Sequence, residues 1–240
     1  MTDRVPDSTG NIIYNYKFIF NSGEEQEFKI ELDRYSLDLI QNREPYCPKW
    51  TKLNCCKCPN CTLDEKQHEF CPIAVNLVDI IDCFSIFTAS EPVEVIVTAN
   101  ERTYSNEVPL QIGVSSLLGI YMVTSGCPVM EKLKPMVRFH LPFATLEETM
   151  YRAISMFLVS QYFIYRHGGY AELNLEKLHK VYDNVKTVNE YFLKRLHTID
   201  TKDSNLKAVV VLDHFANGVN FSIDSKMVDD LSYLFEGYIK

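Results

Sequence analysis

The stretch "VEVIVTANERTYSNEVPLQIGVSSLLGIYMV", residues 93–123, changes its hydrophobic period part-way along. Before Pro109 the apolar and β-branched residues alternate on both sides of "ANER", the pattern of a β-hairpin. Beyond Pro109 a period of 3.6 takes over and persists to the C-terminal end. A chain that runs strands first and helices second belongs to the α+β class. The expectation is a mixed β/α region over 1–108, built of β-hairpins, a metal-binding loop and a helix, packed on a C-terminal helical bundle over 109–240.

The join between the two halves has to be read with care. "VPLQIGVSSLLGIYMVTSGCPVM", residues 108–130, carries no charged side chain and is long enough to suit a membrane span. It also holds Gln111, Ser115, Ser116, Thr124 and Ser125 among glycines and prolines, which leaves a short apolar part. The reading is a buried core helix in which Ser115 and Gly119, at helical spacing, let a neighbour approach closely. Upstream, "IIYNYKFIFNSGEEQEFKIELD" reads as another hairpin turning around Asn21, Ser22 and Gly23, and "SLDLI" as a short helical turn. Ala74, Leu77, Val78, Ile81 and Phe84 recur on one helical face between Ile73 and Phe87.

Helices are expected near 110–124, 129–137, 145–166, 174–198, 206–217 and 225–237. Thr145 and Glu148 have the spacing of a capping box, Gly168-Gly169 stops the helix they begin, and Asn174 can cap the next. The helix over 145–166 is apolar nearly all round past its first turns, which predicts the central element of the bundle.

Between the first hairpin and the first helix, periodicity disappears. "CCKCPNCTLDEKQHEFCP", residues 55–72, gathers five of the chain's eight cysteines and one of its six histidines. The loop over 43–72 needs something other than an apolar face to order it. Cys58-Pro-Asn-Cys61 places two thiolates in one tight turn, within reach of a single tetrahedral ion. His68-Glu-Phe-Cys71 offers a second pair at the same spacing. Cys58, Cys61, His68 and Cys71 together make a structural Zn²⁺ site, with Cys55 and Cys56 as alternate ligands and Lys57 or Lys66 to balance charge. Cys55, Cys58 and Cys61 also have iron–sulfur spacing, with Cys71-Pro as the last ligand, so an iron–sulfur cluster stands as the alternative cofactor. Buried thiols without any metal are the third reading.

"WTKLNCCKCPNCTLDEKQHEFCPIAVNL" together with "SSLLGIYMVTSGCPVMEKLKPMVRFHLPFATLEETMYRAISMFLVSQYF" resembles an uncharacterised family of bacterial proteins of about this length. The resemblance covers most of the chain and implies a bacterial cytosolic origin. It implies no chemistry.

A second constellation lies in the helical half. Cys127, Arg138, His140, Glu147, Glu148 and Arg152 cluster around two helix starts. Cys127 at a helix entry is a candidate nucleophile with His140 as its base. Glu148, Arg152 and Ser155 share one face of an otherwise apolar helix, and a buried polar stripe calls for partners or a ligand. Each also has an ordinary role: Cys127 in a turn set by Gly126 and Pro128, His140 as a hydrogen-bonded core histidine, Glu148 as the capping acid, Arg152 as its i+4 ion pair.

Net charge and missing motifs narrow the function. A formal charge of −8 argues against nucleic acid and anionic membranes as partners. The polar, acidic start lacks the basic and apolar regions of a secretory signal, which favours the cytosol. There is no phosphate loop, dinucleotide fingerprint, His-Glu-x-x-His pair or nucleophile elbow. What stands is a metal-stabilised cytosolic binding or regulatory protein whose partner is a protein or a small molecule. The alternative is an enzyme or redox protein using an iron–sulfur cluster or a Cys127/His140 pocket.

Overall fold

The computed structural model describes residues 10–41, 46–199, 203–224 and 228–239. The polar start read for localisation, residues 1–9, and the first part of the 43–72 loop, residues 43–45, lie outside them. Strands β1 (Ile12–Phe20), β2 (Glu25–Leu32), β3 (Pro92–Thr98) and β4 (Thr103–Pro109) form one antiparallel sheet in the order β2-β1-β3-β4. Strict alternation sends Ile12, Tyr14, Tyr16, Phe18 and Phe20 of β1 and Val93, Val95 and Val97 of β3 into the core. The edge strands carry Glu25, Glu27, Lys29, Ser105 and Glu107, whose polar side chains discourage pairing with another chain. Gly23 closes the first hairpin at φ 86°, a conformation that disfavours side chains.

Helix α1 (Pro72–Phe84) covers the sheet with Ile73, Ala74, Leu77, Val78, Ile81 and Phe84, and the Phe84 ring meets Phe18 edge-on with centroids 4.9 Å apart. Helix α2 (Leu110–Val123) leaves β4 directly and is the central element, packed on the sheet, on α1 and on α6 (Asp203–Asp224). One glycine permits the contact with the sheet: a Cβ at Gly113 would stand 2.8 Å from both Phe18 Cε1 and Val95 Cγ2, whereas at Gly119 a Cβ would meet Leu212 of α6 at an ordinary 3.6 Å. Then come a 3₁₀ turn (Met130–Leu133), α3 (Lys134–Arg138), α4 (Leu146–Arg166), α5 (Glu176–Leu196), and finally a 3₁₀ segment (Asp229–Phe235) with α7 (Glu236–Ile239). One hydrophobic core runs from Ile12 to Val219 without a break at residue 109. Among the described residues no helix is long and apolar enough to cross a membrane. The α+β reading holds.

Several local expectations change. "SLDLI" forms no helix: the Asp33 carboxylate accepts from the amides of Tyr35 and Ser36, and Leu39 then bridges back to Leu32. The segment over 129–137 divides into a 3₁₀ turn and α3, with Pro135 in the first turn of α3. Helix α4 is not the centre of the bundle. It buries one stripe, Met150, Ala153, Ile154, Phe157 and Gln161, while Val159, Tyr162, Phe163 and Tyr165 on its C-terminal half are exposed. Helix α6 extends well past 217. Gly218 does not end it; there a Cβ would lie 2.4 Å from Leu146 Cδ1, so the glycine marks close contact with α4.

Gly113→Ala tests the α2–sheet contact. Its added methyl meets a buried ring and a buried valine that have nowhere to move, so the variant should lose about 1–3 kcal/mol in urea denaturation despite alanine's better helix propensity.

Candidate functional site

A wide cavity, of about 430 Å³, lies between β2 and α1 and has a more polar wall that includes Glu27, Lys29 and Asp79. A second, of about 180 Å³, is lined by α2, the 3₁₀ turn and α3, the start of α4, α5 and α6. Ile120, Val123, Leu133, Val137, Val185 and Phe215 make most of its wall apolar. Polar groups enter at few points: Ser116 from α2, His140 from the segment after α3, Thr149 and Arg152 from α4, and Tyr182 and Asn189 from α5. That composition is the pattern of a small-molecule site.

Tyr16, although on β1, reaches this wall through its hydroxyl, which lies 2.9 Å from Ser116 Oγ and 2.5 Å from His140 Nε2. The Tyr14 ring stands edge-on to the imidazole, and its hydroxyl donates to the Val137 carbonyl. Burial, aided by the Arg152 charge, lowers the His140 pKa to about 3. The imidazole is therefore neutral near pH 7, and burial likewise raises the Tyr16 phenol and keeps it protonated. Arg152 donates to the carbonyls of Met136 and Phe139, both at 2.8 Å, and so holds α3 and the His140 segment against α4.

Asn189 is the exception in this wall. It is 1% exposed, and neither Nδ2 nor Oδ1 has a hydrogen-bond partner. Its amide lies near Asp213 and helps to favour that carboxylate's charged form, but without the geometry of a hydrogen bond. A buried amide in this state costs free energy, which a ligand offering a donor and an acceptor would recover.

A third, small cavity, about 20 Å³, lies beside the cysteine loop. Cys58, Cys61, Cys71 and Cys127 all line it, together with Arg195 from the end of α5. The neck of the loop is closed by backbone pairing: Leu53 N–H donates to Glu69 O, and Cys71 N–H to Thr51 O, each at 2.8 Å. Arg195, 2% exposed, reaches into this neck and donates to the carbonyls of Trp50 and Lys52 at 2.5 and 2.6 Å, with a longer contact to Leu53 O. Burial pushes the Cys58 thiol up to about 12 and raises Cys71 and Cys127 as well. The Arg195 guanidinium opposes the rise at Cys58 and Cys71, and the amides of Ile73 and Ala74 at the start of α1 oppose it at Cys71. Among the described residues, no group of three or more His, Cys, Asp or Glu side chains is placed so that it could hold a metal ion.

A family model for a domain of unknown function, DUF6901, matches residues 12–236. The chain belongs to the DUF6901 family. No curated protein and no solved structure matches it.

Within this DUF6901 chain the residues singled out from sequence separate into three groups. Cys58, Cys61 and Cys71 line the small cavity, whereas His68 is exposed on the turn that starts at Asp64, whose carbonyl accepts from its amide. Cys55 and Cys56 lie outside the cavity wall, and Cys56 adopts φ 57°. Cys127 and His140 line different cavities and share no hydrogen bond. Glu148 completes the capping box: its carboxylate accepts from Thr145 N–H at 2.8 Å, and its own N–H donates to Thr145 Oγ1. Arg152 forms no ion pair with Glu148 because its guanidinium is engaged by the two carbonyls. Sequence reading missed Arg195 and Asn189. Each occupies a buried position on an amphipathic helix, and that polar intrusion into the apolar stripe of "NEYFLKRL" is the available signal.

Two measurements follow. With the folded His140 pKa depressed, the unfolded chain takes up a proton below about pH 6.5 that the folded chain refuses. Stability should therefore fall as pH drops from about 6.5 toward 3, by up to ~1.4 kcal/mol per pH unit from this group. His140→Gln, which can still accept from Tyr16, should flatten that part of the urea-midpoint profile. Arg195→Met should lower stability by about 2–4 kcal/mol at pH 7, since it orphans buried carbonyls at the loop neck.

Proposed function

We propose that this protein is a metal-stabilised binding protein whose ligand is a small, mostly apolar molecule held in the 180 Å³ cavity against α2. The unpartnered Asn189 amide carries the reading, because it is a buried donor and acceptor on an otherwise apolar wall. A cavity of about 150 Å³ accommodates benzene, so the size here suits roughly one substituted ring or a short branched chain. A primary amide or carboxylic acid on that ligand would satisfy both atoms of Asn189. The neutral imidazole of His140 and the Ser116 hydroxyl offer further weak polar contacts, and no charged ligand is required to match them. Zinc in the cysteine loop has a structural role in this reading, holding residues 46–72 so that α1 starts in place.

The separation of Cys127 from His140 supports binding over nucleophilic catalysis, and burial raises the Cys127 thiol away from the reactive thiolate. Benzamide and toluene serve as paired probes. Benzamide should raise the melting temperature in a concentration-dependent way, and more than toluene does. Asn189→Leu should remove the preference for benzamide while making the ligand-free protein more stable by about 1–2 kcal/mol. A wild-type protein indifferent to both probes by calorimetry overturns the cavity as a binding site.

A further inference from the structure

We propose that Cys58, Cys61, Cys71 and Cys127 form a tetrathiolate zinc site, with the buried Arg195 guanidinium as its counter-charge. The inference shares with the preceding reading only that the cysteine loop holds metal. It replaces the exposed His68 by a thiol that lies 56 positions further along the sequence than Cys71.

Three separate segments bring these thiols to one cavity. Cys58 and Cys61 lie in a turn closed by Cys61 N–H donating to Cys58 O at 3.0 Å. Cys71 is the residue before α1, in extended conformation, with Pro72 opening the helix. Cys127 follows Gly126, whose φ of 85° turns the chain after α2, and its amide donates to Ser125 Oγ. Cys58-x-x-Cys61 is a knuckle, and single thiols from two other elements complete the four ligands that a structural zinc ion takes.

Cavity size chooses among metals. At about 20 Å³ there is room for one ion, the space that a single water fills, and none for a multinuclear iron–sulfur cluster. Cys55, which iron–sulfur spacing would need, does not line the cavity.

Charge supplies an independent argument. Arg195 is fully desolvated and touches carbonyl dipoles, and among the described residues no carboxylate pairs with it. A buried cation without an anion is strongly destabilising. Zinc with four thiolates carries a net charge of −2, and Arg195 beside it brings the centre to −1. Binding exchanges four thiol protons for one Zn²⁺, and the protons leave to solvent. The thiols enclose the cavity without converging on a common point, so the ion draws them in by rotation about Cα–Cβ between staggered positions.

Elemental analysis of the purified full-length protein, with Co²⁺ substitution, tests this. Wild type should carry one zinc per chain, and its cobalt form should show the thiolate-to-metal charge-transfer intensity of four sulfur ligands. His68→Ala should keep the metal. Cys127→Ser should bind it at least tenfold more weakly, with the cobalt intensity reduced to three thiolates. Should Cys127→Ser prove insoluble, the wild-type cobalt spectrum and His68→Ala still decide the matter. A metal-free wild type, three-thiolate intensity in wild type, or loss of zinc in His68→Ala overturns the assignment. A zinc-loaded protein that ignores benzamide overturns only the cavity reading, loss of zinc in His68→Ala overturns only this one, and a metal-free protein overturns this one together with the metal-stabilised part of the other.

Discussion

A guanidinium buried at the end of a long helix organises the least regular part of this molecule. Arg195 closes on the carbonyls of Trp50, in a single 3₁₀ turn over Lys49–Thr51, and of Lys52 and Leu53 just after it. Those carbonyls sit at the neck of the cysteine loop, next to the bridge between Lys52 and Phe70. Taking a cation out of water is expensive, so such an arrangement persists only where the surroundings offer dipoles and negative charge. The carbonyls supply the dipoles, and in the proposed zinc-bound form the thiolates of the adjoining cavity would supply the charge.

Helix α2 has the complementary role on the other side of the core. It is apolar on most of its surface and none of it is exposed, and it touches the sheet closely through Gly113 while packing on α6. Its few polar side chains then become consequential. Ser116 meets Tyr16 and His140, tying the sheet to the segment after α3, while Ser115 is satisfied by the Ile112 carbonyl within the helix. Polar satisfaction along α2 is complete, which sets off Asn189 on the facing helix, whose amide has no such partner.

Much of the fold was legible in the sequence because it rests on local periodicity. Both hairpins, α1, α2, α4 and α5 lie where the alternation or the 3.6 period put them, and the Thr145 and Glu148 capping box is as spaced. What was not legible depends on contacts distant in sequence. The apolar C-terminal half of α4 is exposed, since hydrophobic composition does not tell a helix how many neighbours it has. The helix expected near 206–217 runs on through Gly218, which is a packing contact with Leu146. The candidate site divided in the same way. The Cys58, Cys61 and Cys71 spacing picked out three thiols that line one cavity, but the wall they share also includes Cys127 and Arg195, brought in from elements far along the chain. Lys57, expected with Lys66 as a local charge balance, does line the thiol cavity, where it also donates to Leu63 O and pairs with Glu65.

The apolar cavity and the thiol cavity are lined by neighbouring parts of one segment. Val123 lines the apolar cavity and Cys127 the thiol cavity, with a turn of only Thr124, Ser125 and Gly126 between them. Met130 and Leu133, just past Cys127, return to the apolar cavity. The 3₁₀ turn that carries them is anchored at its start by Glu131 N–H donating to Cys127 O. Any force that pulls the Cys127 side chain toward Cys58 and Cys61 therefore acts on the backbone that sets where Met130 and Leu133 stand. Packed cores respond to such displacements by stepping between discrete arrangements, not by yielding smoothly. The thiol cavity and the apolar cavity are thus bordered by the two ends of one short segment, so a displacement at Cys127 would be carried to Met130 and Leu133.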